Sequence, residues 1–161
     1  MTLRSNIIHK SYVATSKEAE NFLRFVTECK ETLENFKRKN QKRQFLWVDD
    51  RPENNVYERN ILEQYGLVFT LALSTQQSLN FMQHTEFALI ISDMKRKEGK
   101  YEGYVLLDQI RKNNKEIPFI VYAGSNKQEY IKETLERGGQ GYTTTPRELI
   151  DLVINNLLIN L

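Results

Sequence analysis

Cysteine, histidine, proline and glycine are scarce in this sequence: one Cys, two His, three Pro and seven Gly among 161 residues. The lone Cys29 excludes an internal disulfide and a cysteine metal cluster. With only His9 and His84, imidazole chemistry has few places to sit, and no nucleophile–base pair is apparent. No apolar run reaches the roughly eighteen residues of a transmembrane helix. Met1 to Lys10 lacks the apolar core of a secretory signal. These absences predict a cytoplasmic, non-enzymatic protein with no membrane partner. A formal net charge of +2 gives no reason to expect nucleic acid.

Where the charge sits says more than its total. Residues 1–43 hold ten basic and five acidic side chains, and residues 44–161 hold thirteen and sixteen. The sign changes at Lys42-Arg43, just before an apolar run. The expectation is a basic helical extension over 1–43 and one domain over 44–161, a size that suits a single core.

In the second part, short apolar runs alternate with helix-period segments. Phe45 to Val48, Val68 to Leu73, Phe87 to Ile91, Pro118 to Tyr122 and Gly141 to Thr144 read as strands. Between them, Pro52 suits a first helical turn, with Val56, Ile61 and Leu62 facing inward and Gly66 as the stop. Ser74 suits a helix cap. Val105 to Ile110 and Lys127 to Arg137 mark two further helices, and Pro146 opens the last. Five β-α units with strands apolar on both faces predict a doubly wound, five-stranded parallel sheet covered by helices on each side.

Ligands of such sheets sit beyond the carboxyl ends of the strands. Asp49 and Asp50 fall after the first strand and Asp93 after the third. Three clustered carboxylates repel one another unless a cation offsets them, and hard oxygen ligands favour magnesium. The same residues also suit a plainer role, with Asp50 in the turn before Pro52 and Asp93 capping the next element.

Residues 44–158 resemble the receiver domain of bacterial two-component response regulators. The resemblance rests on Phe45-Leu46-Trp47-Val48-Asp49-Asp50, Leu89-Ile90-Ile91-Ser92-Asp93, Gly103-Tyr104-Val105-Leu106-Leu107 with Ile110-Arg111, Ile117-Pro118-Phe119-Ile120, and Gly141-Tyr142 with Thr145-Pro146. It implies a flavodoxin-like, five-stranded α/β fold, with Asp93 as phosphoacceptor and Asp49 and Asp50 holding magnesium with it. A sensor histidine kinase or other signalling protein is the implied partner.

Several positions depart from the family pattern. A hydroxyl residue usually ends strand four, where this chain has Ala123; Ser125 follows two residues later. A lysine usually precedes the proline after strand five, where this chain has Thr145. The usual Met-Pro after the phosphoacceptor is replaced by Lys95-Arg96-Lys97, and Asp93 to Gly103 is about two residues longer than usual. Lys95, Arg96, Lys97 and Lys100 read either as a solvated loop or as an altered anion site, for a phosphoryl group or a nucleotide phosphate. Tyr122 reads first as a packed strand residue, and Gly124 permits close backbone approach to a ligand.

Thr15-x-x-Glu18 is a capping-box pattern. Ala19, Phe22, Val26, Cys29, Leu33 and Phe36 follow at steps of 3, 4, 3, 4 and 3, an apolar seam that needs a partner surface. The last helix, with Leu149, Ile150, Leu152, Val153, Ile154, Leu157, Leu158, Ile159 and Leu161, has little polar face. Together these helices predict a homodimer. Two functions stay open. One is a receiver-like module phosphorylated at Asp93, with output through protein–protein contacts because no output domain follows residue 161. The other is a phosphorylation-independent pseudo-receiver acting in binding or oligomerisation.

Overall fold

Phe45, Leu46, Trp47 and Val48 are all buried, so the strand they form has no solvent face. That strand, β1 (Gln44–Val48), is the second of five parallel strands in the order β2-β1-β3-β4-β5. The others are β2 (Val68–Ala72), β3 (Phe87–Ser92), β4 (Phe119–Tyr122) and β5 (Gly141–Thr143). Five α-helices connect or follow them: α1 (Val56–Gln64), α2 (Thr75–Met82), α3 (Glu102–Asn113), α4 (Gln128–Glu136) and α5 (Pro146–Ile159). The doubly wound parallel sheet expected from the sequence is the fold the chain adopts. The structure, a computed structural model, describes residues 43–113 and 116–159 together with residues 16, 17, 20, 21, 23, 24, 27, 28, 30, 31, 34 and 35.

Strand alternation divides the core in two. Leu46, Val48, Ile90, Phe119 and Val121 point to one face, where they pack with Leu106, Leu107 and Ile110 of α3. Phe45, Trp47, Leu89, Ile91 and Ile120 point to the other, against Leu62 of α1 and Leu149, Val153 and Leu157 of α5. Each such side chain contributes about 1.5–3 kcal/mol by leaving water. The edge strand β2 is less covered, and Val68 and Leu71 are exposed.

Two details differ from the sequence reading. Pro52 opens a 3-10 turn, Pro52–Asn55, and α1 begins only after it. Val56 is exposed, whereas Asn55, Glu58 and Arg59 are buried, so α1 turns a polar side toward the ends of the strands. Gly66, at φ 84°, ends the helix region as expected, in a conformation that favours glycine. In α5, Leu149, Val153 and Leu157 are buried while Ile150, Leu152 and Ile154 are half-buried.

The chain divides into two compact units, residues 1–35 and 36–161. In the first, the described residues are helical and exposed. The capping box Thr15–Glu18, the apolar seam from Ala19 to Phe36, and His9 lie outside the described residues. Among the described residues, no helix is long and apolar enough to cross a membrane.

Candidate functional site

The sheet ladder continues one residue past its strands. Val48 pairs with Ser92 and Ala72. The Asp49 N–H then donates to the Ala72 carbonyl at 2.9 Å, and the Asp93 N–H donates to the Val48 carbonyl at 2.9 Å. These bonds seat Asp49 and Asp93 side by side at the carboxyl edge of the sheet. Asp49, Asp50 and Asp93 each bring one carboxylate oxygen within 4.8 Å of the other two. The acidic cluster expected from strand-end spacing therefore forms.

Each carboxylate is held by its own donors. Asp49 is buried and accepts from the Arg51 N–H at 2.7 Å and from Asn55 Nδ2 at 2.6 Å. Asp93 Oδ1 accepts from the Met94 N–H at 2.7 Å. Asp50 Oδ2 accepts from the Lys97 main-chain N–H at 2.9 Å. The other Asp50 oxygen, Oδ1, is buried with no hydrogen-bond partner among the described residues. The Arg51 guanidinium stands 3.8 Å from it, beyond hydrogen-bond reach.

Burial, reinforced by the charge of Asp49, pushes the Asp93 carboxyl from 3.8 up to about 6, although the Met94 and Lys95 main-chain N–H groups and Arg96 act the other way. At neutral pH the cluster thus concentrates negative charge that it only partly solvates. A buried carboxylate oxygen that accepts no hydrogen bond, set among hard oxygen donors, fits a small divalent cation such as magnesium.

Two cavities open on Asp93. One, of about 200 Å³, is lined by Lys95, Lys100, Tyr101, Ala123, Ser125 and Tyr142 among others. The second, of about 290 Å³, joins Asp93 to Asp49, Asn55, Tyr122, Ala123 and Thr144. Ala123, the residue after β4, borders both and brings no hydroxyl to them, as the sequence indicated. Ser125 is exposed on the first cavity, and its carbonyl accepts from the Tyr142 hydroxyl. Thr145 lines neither; its Oγ1 accepts from the Glu148 N–H at 3.4 Å at the start of α5. Around Gly124 no protein atom lies within 4 Å of an added Cβ, so the space beside it on the cavities is open. The close approach is at Gly103, where a Cβ would stand 3.1 Å from the Asp93 carbonyl oxygen and the Met94 Cα.

The basic run splits into three different environments. Lys95 is exposed and borders the Asp93 cavity. Lys97 is exposed, and its main chain rather than its amine meets the acid cluster. Arg96 corrects both readings of the loop, since it is neither solvated nor open to an outside anion, its charge being met by Glu98 and Glu102. Its side chain is fully buried and bonds to Ser92 Oγ, the Asp93 carbonyl, Thr75 Oγ1 and the Glu102 carbonyl.

Tyr122 is a half-buried strand residue whose ring meets Trp47 edge-on at 6.2 Å. Its hydroxyl donates to Glu58 Oε1 at 2.8 Å. Burial, then Glu58, holds this phenol well above its ordinary range. The sequence reading did not find Asn55, Thr75, Glu98 or Tyr101. Only Asn55 carried a signal: it stands one turn beyond Asp49-Asp50, behind the Pro52 turn.

Residues 45–154 match the sequence model of the response regulator receiver domain. The chain belongs to this family. Its receiver domain carries the acidic Asp49, Asp50 and Asp93 cluster typical of a phosphoacceptor site, and such domains normally signal rather than catalyse. An uncharacterized 14.6 kDa protein from the sodA1 3' region of Leptolyngbya boryana is 26% identical over 110 residues, which cover 67% of this chain and 82% of that protein. The receiver domain of the Francisella response regulator 1452 superposes with a TM-score of 0.66 at 23% identity, over 74% of this chain and 100% of that one. A CheY-like receiver domain protein from Methanospirillum hungatei JF-1 gives 0.62 at 24% identity, over 71% and 93%. These structures share the receiver fold.

Proposed function

We propose that this receiver accepts a phosphoryl group on Asp93 from a phosphohistidine donor, with output through protein–protein contacts or dimerisation. The observation that carries the reading is the buried Asp50 Oδ1 inside the triad, which accepts no hydrogen bond among the described residues. Asp49, Asp50 and Asp93 would hold magnesium, which when bound offsets charge building on the phosphoryl oxygens. The chain's own part is to hold a carboxylate nucleophile at the sheet edge, aimed at the donor. An Asp93 oxygen bonds to phosphorus, the phosphorus–nitrogen bond of the donor breaks, and the imidazole leaves with its electron pair. Lys95 and Lys100, both on the Asp93 cavity, supply the cation that Thr145 does not, and Ser125 offers the nearest hydroxyl. Arg96 has no donor left for an anion, and Lys97 contributes through its main chain.

The basic segment 1–43 is an appendage to the receiver over 44–161, and the half-buried side of α5 takes part in a homodimer. A second reading, a phosphorylation-independent pseudo-receiver that binds a nucleotide-like anion, is favoured by Ala123 and by Thr145, which lines neither cavity. Beryllofluoride separates the two, because it mimics a phosphoryl group on a carboxylate. With magnesium, fluorine NMR should show bound beryllofluoride on the wild type and none on Asp93→Asn. No bound signal on the wild type favours the second reading.

A further inference from the structure

The Lys95–Gly99 loop replaces the short link expected after Asp93, and it is built rather than loose. Arg96 and Gly99 exchange two main-chain hydrogen bonds, each of 3.0 Å, which close the loop on itself. The Arg96 guanidinium then dives beneath it. Nη1 donates to Ser92 Oγ at 2.7 Å and to the Asp93 carbonyl at 2.8 Å. Nη2 donates to Thr75 Oγ1 at 2.6 Å and to the Glu102 carbonyl at 2.9 Å. Nε donates to Glu98 Oε2 at 3.4 Å. All five N–H donors of the guanidinium are thereby used. Glu98 also accepts from the Thr75 N–H, at 3.2 and 3.1 Å, so the same carboxylate ties the loop to the start of α2.

The consequence lies at the acid cluster. With Arg96 anchored, the next residue presents its main-chain N–H to Asp50 Oδ2 at 2.9 Å. One Asp50 oxygen is thus occupied, and the other is buried with no hydrogen bond and only the Arg51 guanidinium at 3.8 Å. A flexible Asp50 would have to lose rotamer freedom on binding a cation; an oriented one has already done so.

We propose that Arg96 is a positioning residue for the Asp93 reaction: its buried guanidinium anchors the Lys95–Gly99 loop so that the Lys97 amide orients Asp50 for the metal ion. The proposal rests on the reading of Asp93 as phosphoacceptor, with Asp50 as a metal ligand. Substituting a residue that orients a metal ligand typically weakens metal affinity by roughly 10- to 100-fold.

The test uses the full chain and the variants Arg96→Met and Thr75→Val. Magnesium affinity is measured by calorimetry, and the acetyl phosphate reaction is followed as a function of magnesium concentration. Arg96→Met, shown folded by circular dichroism, should bind magnesium about tenfold more weakly and need correspondingly more of it for half-maximal rate. If Arg96→Met does not fold, Thr75→Val decides, with about a threefold loss expected from removing one Arg96 acceptor. Wild-type affinity in a folded Arg96→Met, or in Thr75→Val where Arg96→Met fails to fold, overturns the proposal. A wild type that binds magnesium but takes no phosphoryl group defeats the phosphoacceptor reading and leaves the affinities to judge Arg96. A wild type that binds no magnesium overturns both.

Discussion

Asp93 stands beside Asp49 across the carboxyl ends of two neighbouring strands, and their proximity, added to burial, raises the Asp93 carboxyl to about 6. In the folded, metal-free protein Asp93 therefore binds its proton more tightly than in the unfolded chain. The resulting destabilisation is fully present above about pH 6 and fades as the pH falls from there toward 3.8. A shift of this size corresponds to at most about 3 kcal/mol, and solvent access reduces it to about 1–2 kcal/mol. Asp93→Asn should accordingly be more stable than the wild type by about that amount in urea unfolding at pH 7.5 with chelator. The gap should close on acidification to pH 4 and narrow when magnesium is added. An Asp93→Asn variant less stable than the wild type at pH 7.5 would contradict this electrostatic picture.

The Tyr122 hydroxyl and Glu58 form a second pair, joining the end of β4 to α1. Glu58 Oε2 is buried without a hydrogen-bond partner among the described residues, so Oε1 carries the contact. Tyr122→Phe removes that donor from a buried carboxylate, an effect of about 1–3 kcal/mol. The same change made in a Glu58→Leu background should have a much smaller effect, because nothing polar is then stranded. Denaturant unfolding of the four proteins in this cycle gives the coupling directly. Additive losses would mean that the pair contributes nothing to the link between β4 and α1.

Ala123 borders both cavities on Asp93, and a threonine there would place a hydroxyl at the end of β4. A new donor beside developing phosphoryl charge strengthens the transition state. Ala123→Thr should speed acetyl phosphate reaction at Asp93 by about tenfold, read as the initial rate of mass gain. An unchanged rate would mean that the hydroxyl does not reach the phosphoryl oxygens.

The fold was legible because its signals are redundant. Four consecutive apolar residues at Phe45–Val48, a stop at Gly66 and a cap at Ser74, whose Oγ accepts from the Gln77 N–H at 3.0 Å, all point to one architecture. The acid triad was legible because a strand end fixes where its next residue goes: one further ladder bond each places Asp49 and Asp93. The inward side of α1 was misread, since hydrophobic periodicity favours Val56 over Glu58 and Arg59, and burial of polar groups depends on partners that lie far away in sequence. Tyr122, the partner of Glu58, is one example. Arg96 was hidden for the same reason. In a run of Lys95-Arg96-Lys97 nothing local distinguishes the one cation whose acceptors lie on Thr75, Ser92 and Glu102.

The central claim is that Asp93 is a working phosphoacceptor in a site completed by magnesium, and intact-protein mass spectrometry tests it most directly. Incubated with magnesium and acetyl phosphate, the wild type should gain one phosphoryl group, about 80 Da. The adduct should be absent in Asp93→Asn and should not form when magnesium is chelated. A wild-type mass unchanged under saturating donor and magnesium, or an adduct that persists in Asp93→Asn, would contradict the account.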